Sequence, residues 1–200
     1  MAVTDILQSP SKLWVSAVGV ALPNINTVAV GASWGAGWTD CGMTLSALSM
    51  KKSDDVADIE TEQYTFPVKQ VRTKETIQLE TSLAELTAAN LKLALGTANA
   101  ITTVAAGASI HASDTLDFGG ETQLPQYQFG FEGYVFDASN NKMPKRFFFY
   151  ICVPGIGGAL EFTKKSPAGI PLRINCLGDT TKTAGAMIGK AQLVTGWKTS

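Results

Sequence analysis

IETEQYTFPVKQVRTKETIQLETSLAELTAANLKLALG, residues Ile59 to Gly96, holds three successive patterns. A polar, charge-banded approach comes first, then a long alternating strand, then one short capped helix. From Glu75 to Leu83 the alternation is clean: Ile77, Leu79, Thr81 and Leu83 point one way, and Thr76, Gln78, Glu80 and Ser82 point the other. Thr87 then caps a helix over 87–95 whose apolar stripe is Leu91, Ala94 and Leu95, with Gly96 ending it in the left-handed position.

Outward from this stretch, strand signals dominate. Trp14 to Leu22 and Leu45 to Met50 read as strands on either side of a Gly-rich segment, Pro23 to Met43, that interleaves Trp34 and Trp38 with glycines. Tyr127 to Phe136 alternates but is apolar on both faces. Asp137 to Pro144 is a turn by composition, and Arg146 to Val153 returns as a strand. Ala159 to Thr163 and Ile170 to Leu177 read as a hairpin around Ser166 to Gly169, and Ala186 to Val194 as a last, weaker strand. Many short strands joined by Gly, Pro and Asn turns, with one helix, predict a mainly β sandwich or barrel. No repeat or linker divides the chain, so a single domain over 1–200 is expected, with a long loop or β-hairpin arm at 51–63.

Composition narrows the function classes. Charged residues make up 16% of the 200, against about a quarter in ordinary globular chains. A surface poor in ions can be buried against copies of itself without desolvating many charges, so assembly is favoured; plain dilution of charge in a β-rich domain is the other reading. The net charge of −1 opposes sequence-independent binding of nucleic acid. No run of about twenty apolar residues offers a membrane span, and MAVTDILQSPSK lacks a secretory signal pattern, so a soluble, reduced, cytosol-made chain is expected. Cys41, Cys152 and Cys176 are odd in number and far apart in sequence, which predicts buried free thiols.

Chemistry is hard to find. The single histidine, His111, has Asp114 nearby, but no Gly-x-Ser-x-Gly elbow accompanies it. Three scattered cysteines and one histidine do not make a zinc pattern. The runs GASWGAGW and PGIGGA contain no phosphate-loop or dinucleotide fingerprint. The pair Asp54 and Asp55 sits in a solvated, charged stretch. No catalytic, metal or cofactor residue is assigned, and an enzyme is not expected. What remains is banding: Lys51 and Lys52, then Asp54, Asp55, Asp58, Glu60 and Glu62, then Lys69, Arg72 and Lys74. On an arm this could set an acidic patch of one subunit against a basic patch of the next, or be a solvated hairpin with both signs interspersed.

At these residues the chain resembles the major tail tube proteins of long, non-contractile-tailed bacteriophages. The resemblance runs through Trp38-Thr-Asp-Cys-Gly42, Leu45-Ser-Ala-Leu-Ser-Met-Lys-Lys52 and Pro67-Val-Lys-Gln-Val71. It is densest over Thr76 to Gly96, which is similar to a v-t-v-x-l-AEL-t-x-x-N-l-x-x-a-L-G pattern. It implies a tail-tube β-sandwich with a packed helix, hexameric rings stacked into a hollow virion tube, and DNA passing through without specific binding. Tape measure, tail terminator and distal tail proteins are the implied partners, and no membrane is involved. The positional equivalent of the family's inter-ring loop is the arm around Lys51 to Gln63, carrying Lys51, Lys52, Asp54, Asp55, Asp58, Glu60 and Glu62, with Pro23 to Cys41 as a second candidate. A conduit for DNA should repel phosphate or stay neutral, so the lumen is expected to be lined by polar side chains with carboxylates in excess, Glu75 and Glu80 being the lumen-facing candidates, while Leu91 and Leu95 pack the helix on the sheet. Other readings are a capsid decoration protein, a tube protein of a secretion or injection machine, or a carbohydrate-binding module stacking a sugar on Trp34 and Trp38.

Overall fold

A computed structural model describes residues 12–137, 139–162 and 168–196. Its main sheet is antiparallel and runs β2 (Trp38–Asp40), β1 (Lys12–Ala17), β7 (Tyr127–Phe136), β8 (Lys142–Ile156), β9 (Ile170–Leu177), β4 (Lys69–Leu83), β3 (Ser49–Ile59). The sheet curls into a half-barrel. A small hairpin, β5 (Ile101–Val104) with β6 (Ser113–Leu116), stands apart, and the helix α1 (Ala88–Leu95) packs against β8 and β9. The described chain is mainly β with one short helix, as the patterns predicted.

Strand β8 organises the sheet. At 15 residues it is long enough to hold β7 along one side and two strands in succession along the other. Its first half, Lys145 to Phe149, pairs with β10 (Gly189–Leu193), and its second half, Ile151 to Ile156, pairs with β9. The expected hairpin partner of β9 is therefore absent: Ala159 to Phe162 forms no strand, and β9 takes its hydrogen bonds from the end of β8. The rest of that turn, Thr163 to Pro167, lies outside the described residues.

Burial follows the alternation. Leu79, Thr81 and Leu83 of β4 and Ile170, Leu172, Ile174 and Cys176 of β9 enter the core together, joined by Phe129, Phe149 and Cys152 from the central strands. Thr87 caps α1 by accepting the Asn90 N–H at 3.1 Å, and Gly96 ends it at φ 62°, donating to Leu93 O. The inward face of the helix is rotated from the expected stripe, of which Ala94 alone is fully buried. Asn90, Leu93 and Ala94 are buried, while Leu91 and Leu95 are half-buried on its flank. The reason is polar: Asn90 Nδ2 donates to Cys41 O at 3.1 Å and Glu85 O at 3.0 Å, which fixes the rotation of a helix too short to set its own.

The other face of the sheet has its own core. β1 stops at Ala17, where Gly19 turns the chain at φ 87°, rather than running to Leu22. The Gly-rich segment then folds back over β1, β7 and β8, packing Trp34 and Trp38 on Trp14 and Phe148. Trp34 stacks on Trp14 with centroids 5.1 Å apart, and Gly130 lies so close beneath the ring that any Cβ there would collide with it. This second cluster explains why β7 and β8 are apolar on both faces.

Beneath the loop lies a buried ion pair. Glu132 and Arg146 are cross-strand partners, with Arg146 Nε donating to Glu132 Oε2 at 2.6 Å. Arg146 Nη2 donates to Val28 O at 2.8 Å, and Gly31 N–H donates to Glu132 Oε1 at 2.6 Å, so both charges also hold the loop backbone. Losing one partner leaves the other charged and dry, so Glu132→Leu or Arg146→Met alone is expected to cost about 3–5 kcal/mol in urea unfolding. The double variant should recover most of that loss. Two single-variant costs that simply add would show that the pair acts through packing and not charge.

Candidate functional site

The feature that the monomer's core does not account for is the far end of the β3–β4 hairpin. β9 supports β4 only from Ile77 to Leu83; from Lys69 to Thr76 its sole strand partner among the described residues is β3. All 11 residues of β3 are exposed. The result is a two-stranded ribbon projecting past the sheet, with a bulge at Asp55/Val56 that increases its twist. The arm anticipated at 51–63 is thus a strand, a turn and a returning strand, over 49–76.

The charged residues on it mostly satisfy one another. Lys52 reaches Glu75 at 2.9 Å and Asp54 at 3.6 Å, and Arg72 reaches Asp54 at 3.2 Å and Glu75 at 3.3 Å. This closed four-membered network holds the ribbon's register where no third strand supports it. The hydrogen bond from Lys52 draws the Glu75 carboxyl below its ordinary range and raises the Lys52 ammonium. Lys51 pairs instead with Glu80 at 3.4 Å. Among the described residues Asp55, Asp58, Glu60 and Glu62 form no ion pair and neither do Lys69 and Lys74, so the unpaired charges toward the tip are acidic in excess.

Glu75 and Glu80 do not share a wall. They are separated by an odd number of positions in a regular stretch of strand, so Glu75 faces the side of Ile77 and Leu79, and Glu80 faces the opposite side. Glu80 lies on a polar face with Gln78, Asn175 and Arg173, and Arg173 Nε approaches it at 3.4 Å. Held between Lys51 and Arg173, Glu80 gives that face no excess of carboxylate.

Sequence reasoning passed over the arm's apolar residues. Tyr64 and Phe66 are 58% and 62% exposed with ring centroids 5.6 Å apart, and Val56, Ile59, Val68 and Val71 are exposed beside them. The signal was present as the alternation Tyr64, Phe66, Val68, hidden by the charges on either side. A cluster of this kind on a projecting ribbon is the usual mark of a surface that meets another protein.

The remaining sites resolve differently. Trp34 and Trp38 are 4% and 6% exposed, which leaves neither ring free to stack on a sugar. His111 lies exposed between β5 and β6, while Asp114 accepts a hydrogen bond from Thr103. Among the described residues no group of three or more His, Cys, Asp or Glu could hold a metal ion, and no helix is long and apolar enough to cross a membrane. The three cysteines are free and buried, but Cys152 and Cys176, distant in sequence, face each other across β8 and β9.

The arm's network has a pH signature. Glu75 is drawn below its ordinary value, so its contribution is fully present above the ordinary carboxylate range and is lost as pH falls through the lowered value. A carboxyl-resolved NMR titration should show Glu75 titrating below an ordinary glutamate and Lys52→Met returning it toward that range. An unchanged Glu75 midpoint in the variant would dissolve the network as described. No family model matches the chain, and no curated protein matches it either.

Proposed function

We propose that this chain is a structural protein that assembles with copies of itself into stacked hexameric rings, the hollow tail tube of a long non-contractile-tailed bacteriophage, through which DNA passes during ejection. The observation that carries the reading is the projecting ribbon. The 11-residue exposed strand β3 and its partner β4 run past the end of β9 from Ser53 and Thr76 outward, and the turn that joins them carries exposed Tyr64 and Phe66. A ribbon of two strands is marginal in water by itself, and its apolar tip contributes nothing to the core of its own subunit. Contact with a neighbouring copy would give both features a purpose. The arm, with Lys51 to Glu62, is then the contact between rings.

The open edges of β3 and β10 fit the same reading, because a neighbour's backbone can cover them. The polar face of β3, β4 and β9 carries Glu80 between Lys51 and Arg173, one carboxylate against two cations, so it does not supply the carboxylate-rich wall expected of the conduit.

Purified full-length protein is expected to form tubes of stacked rings in negative-stain micrographs. Tyr64→Ser with Phe66→Ser should abolish the tubes and leave the monomer's unfolding free energy in urea within about 0.5 kcal/mol, as for surface changes away from any core. Closed shells or capsid-bound knobs would move the reading to a decoration protein. Full-length chains that stay monomeric under all assembly conditions would end it.

A further inference from the structure

Register places Cys152 of β8 directly opposite Cys176 of β9, with the two Sγ atoms 3.6 Å apart. Directly opposed residues of antiparallel strands have Cα atoms about 4.5–5.5 Å apart. A disulfide accepts about 4.4–6.8 Å, so joining these sulfurs needs side-chain rotation and no movement of the strands. The two thiols differ in access. Cys152 is fully buried, whereas Cys176 is 8% exposed and lines a cavity of about 440 Å³ together with Met50, Ile77, Met187 and Gly189. That cavity follows from the topology: β10 and β9 share one side of β8 in succession, and the space opens where they part.

We propose that Cys176 and Cys152 are a peroxide-oxidised modification site, at which Cys176 reacts first and Cys152 closes an intramolecular disulfide that staples β8 to β9. In the first step Cys176 Sγ attacks one oxygen of hydrogen peroxide. An S–O bond forms, the O–O bond breaks, and water leaves a sulfenic acid. In the second step Cys152 Sγ attacks Cys176 Sγ. The S–S bond forms, the S–O bond breaks, and the hydroxyl departs with the Cys152 thiol proton as a second water. Two thiols lose two electrons and one peroxide gains them.

The order follows from the surroundings. The hydrogen bond with Cys176 and deep burial hold the Cys152 thiol strongly protonated, which disfavours it as the first nucleophile; it reacts second because its Sγ lies 3.6 Å from the Cys176 sulfur. The cavity is wide enough for peroxide, and Cys176 is one of its lining residues while Cys152 is not. Cys41 lies outside its lining, and burial with Asp40 alongside pushes its thiol up to about 12. It is expected to stay reduced. The staple joins neighbouring strands at the centre of the sheet and closes the chain segment between them, which restricts the unfolded ensemble. The pair belongs to one subunit's core, so this inference stands apart from the assembly reading.

The test treats the native full-length protein with hydrogen peroxide, quenches it, alkylates free thiols in denaturant and maps the peptides. The expected product is a linked pair of peptides carrying Cys152 and Cys176 in most of the protein, with Cys41 alkylated throughout. The urea midpoint should rise on oxidation and return on reduction. In Cys152→Ser, the Cys176 sulfenic acid should be trapped by a 1,3-diketone; in Cys176→Ser, Cys152 should remain unreacted. The wild-type map decides the matter even if a variant folds poorly. A sulfinic acid at Cys176 without the link, a link to Cys41 or to a second chain, a link formed only in denatured protein, or no reaction at either thiol would each overturn the proposal.

Discussion

A buried arginine must be neutralised where it lies, and Arg146 imposes that demand at the middle of this sheet. It is fully buried, and its partner Glu132 sits directly across the strand pair. The pair alone would leave lone pairs and protons unmet. The segment from Val28 to Gly31 meets several of them, with two carbonyls for the guanidinium and one N–H for the carboxylate. Trp34 then lies over the guanidinium, 5.6 Å from ring centroid to Cζ. A loop that is glycine-rich and free of regular structure is thereby fixed. Its tryptophans become the second core, and that core lets β7 and β8 be apolar on both sides.

With its centre covered on both faces, the sheet can afford an exposed periphery. β8 holds three strands in place, so β9 needs no hairpin partner of its own and can carry β4 outward. β4 in turn outruns β9, and only β3 follows it. The arm is therefore a consequence of unequal strand lengths. Its rigidity depends on cross-strand pairing, because β3 and the Lys69–Thr76 part of β4 are exposed along their length among the described residues.

What could be read from residues was what residues decide locally. The alternation of β4, the caps Thr87 and Gly96, and the span Tyr127 to Phe136 all follow from neighbours in the chain. Pairing is different. β9 was assigned to Ala159–Thr163 because that segment was near, whereas its partner is the end of β8, chosen by register across the whole sheet. The Gly-rich segment that carries Trp34 and Trp38 is irregular up to the short strand β2, and its burial depends on an ion pair that lies about a hundred residues away in the chain. Likewise the inward face of α1 was set by Asn90, a polar residue that an apolar stripe does not count. Within the candidate site, the charges and the arm were legible, but their mutual neutralisation was not, because it needs the antiparallel register of β3 and β4.

That neutralisation changes what the arm's charges can do in an assembly. An acidic band free to meet a basic one would draw subunits together over a Debye length and would weaken steeply with salt. Here Lys52, Asp54, Arg72 and Glu75 are already occupied with one another, so the long-range field of the ribbon's stem is largely cancelled. The apolar tip is not cancelled by anything in the monomer. In the assembly proposed above, attraction would fall to burial of Tyr64, Phe66 and the neighbouring valines, which acts only at contact, with the paired charges keeping the ribbon in register. Such a division favours a contact that forms late, once a subunit is in position, over one that gathers subunits indiscriminately from solution. The uncompensated Asp58, Glu60 and Glu62 beside the tip reinforce it, because like charges keep two free arms from meeting tip to tip.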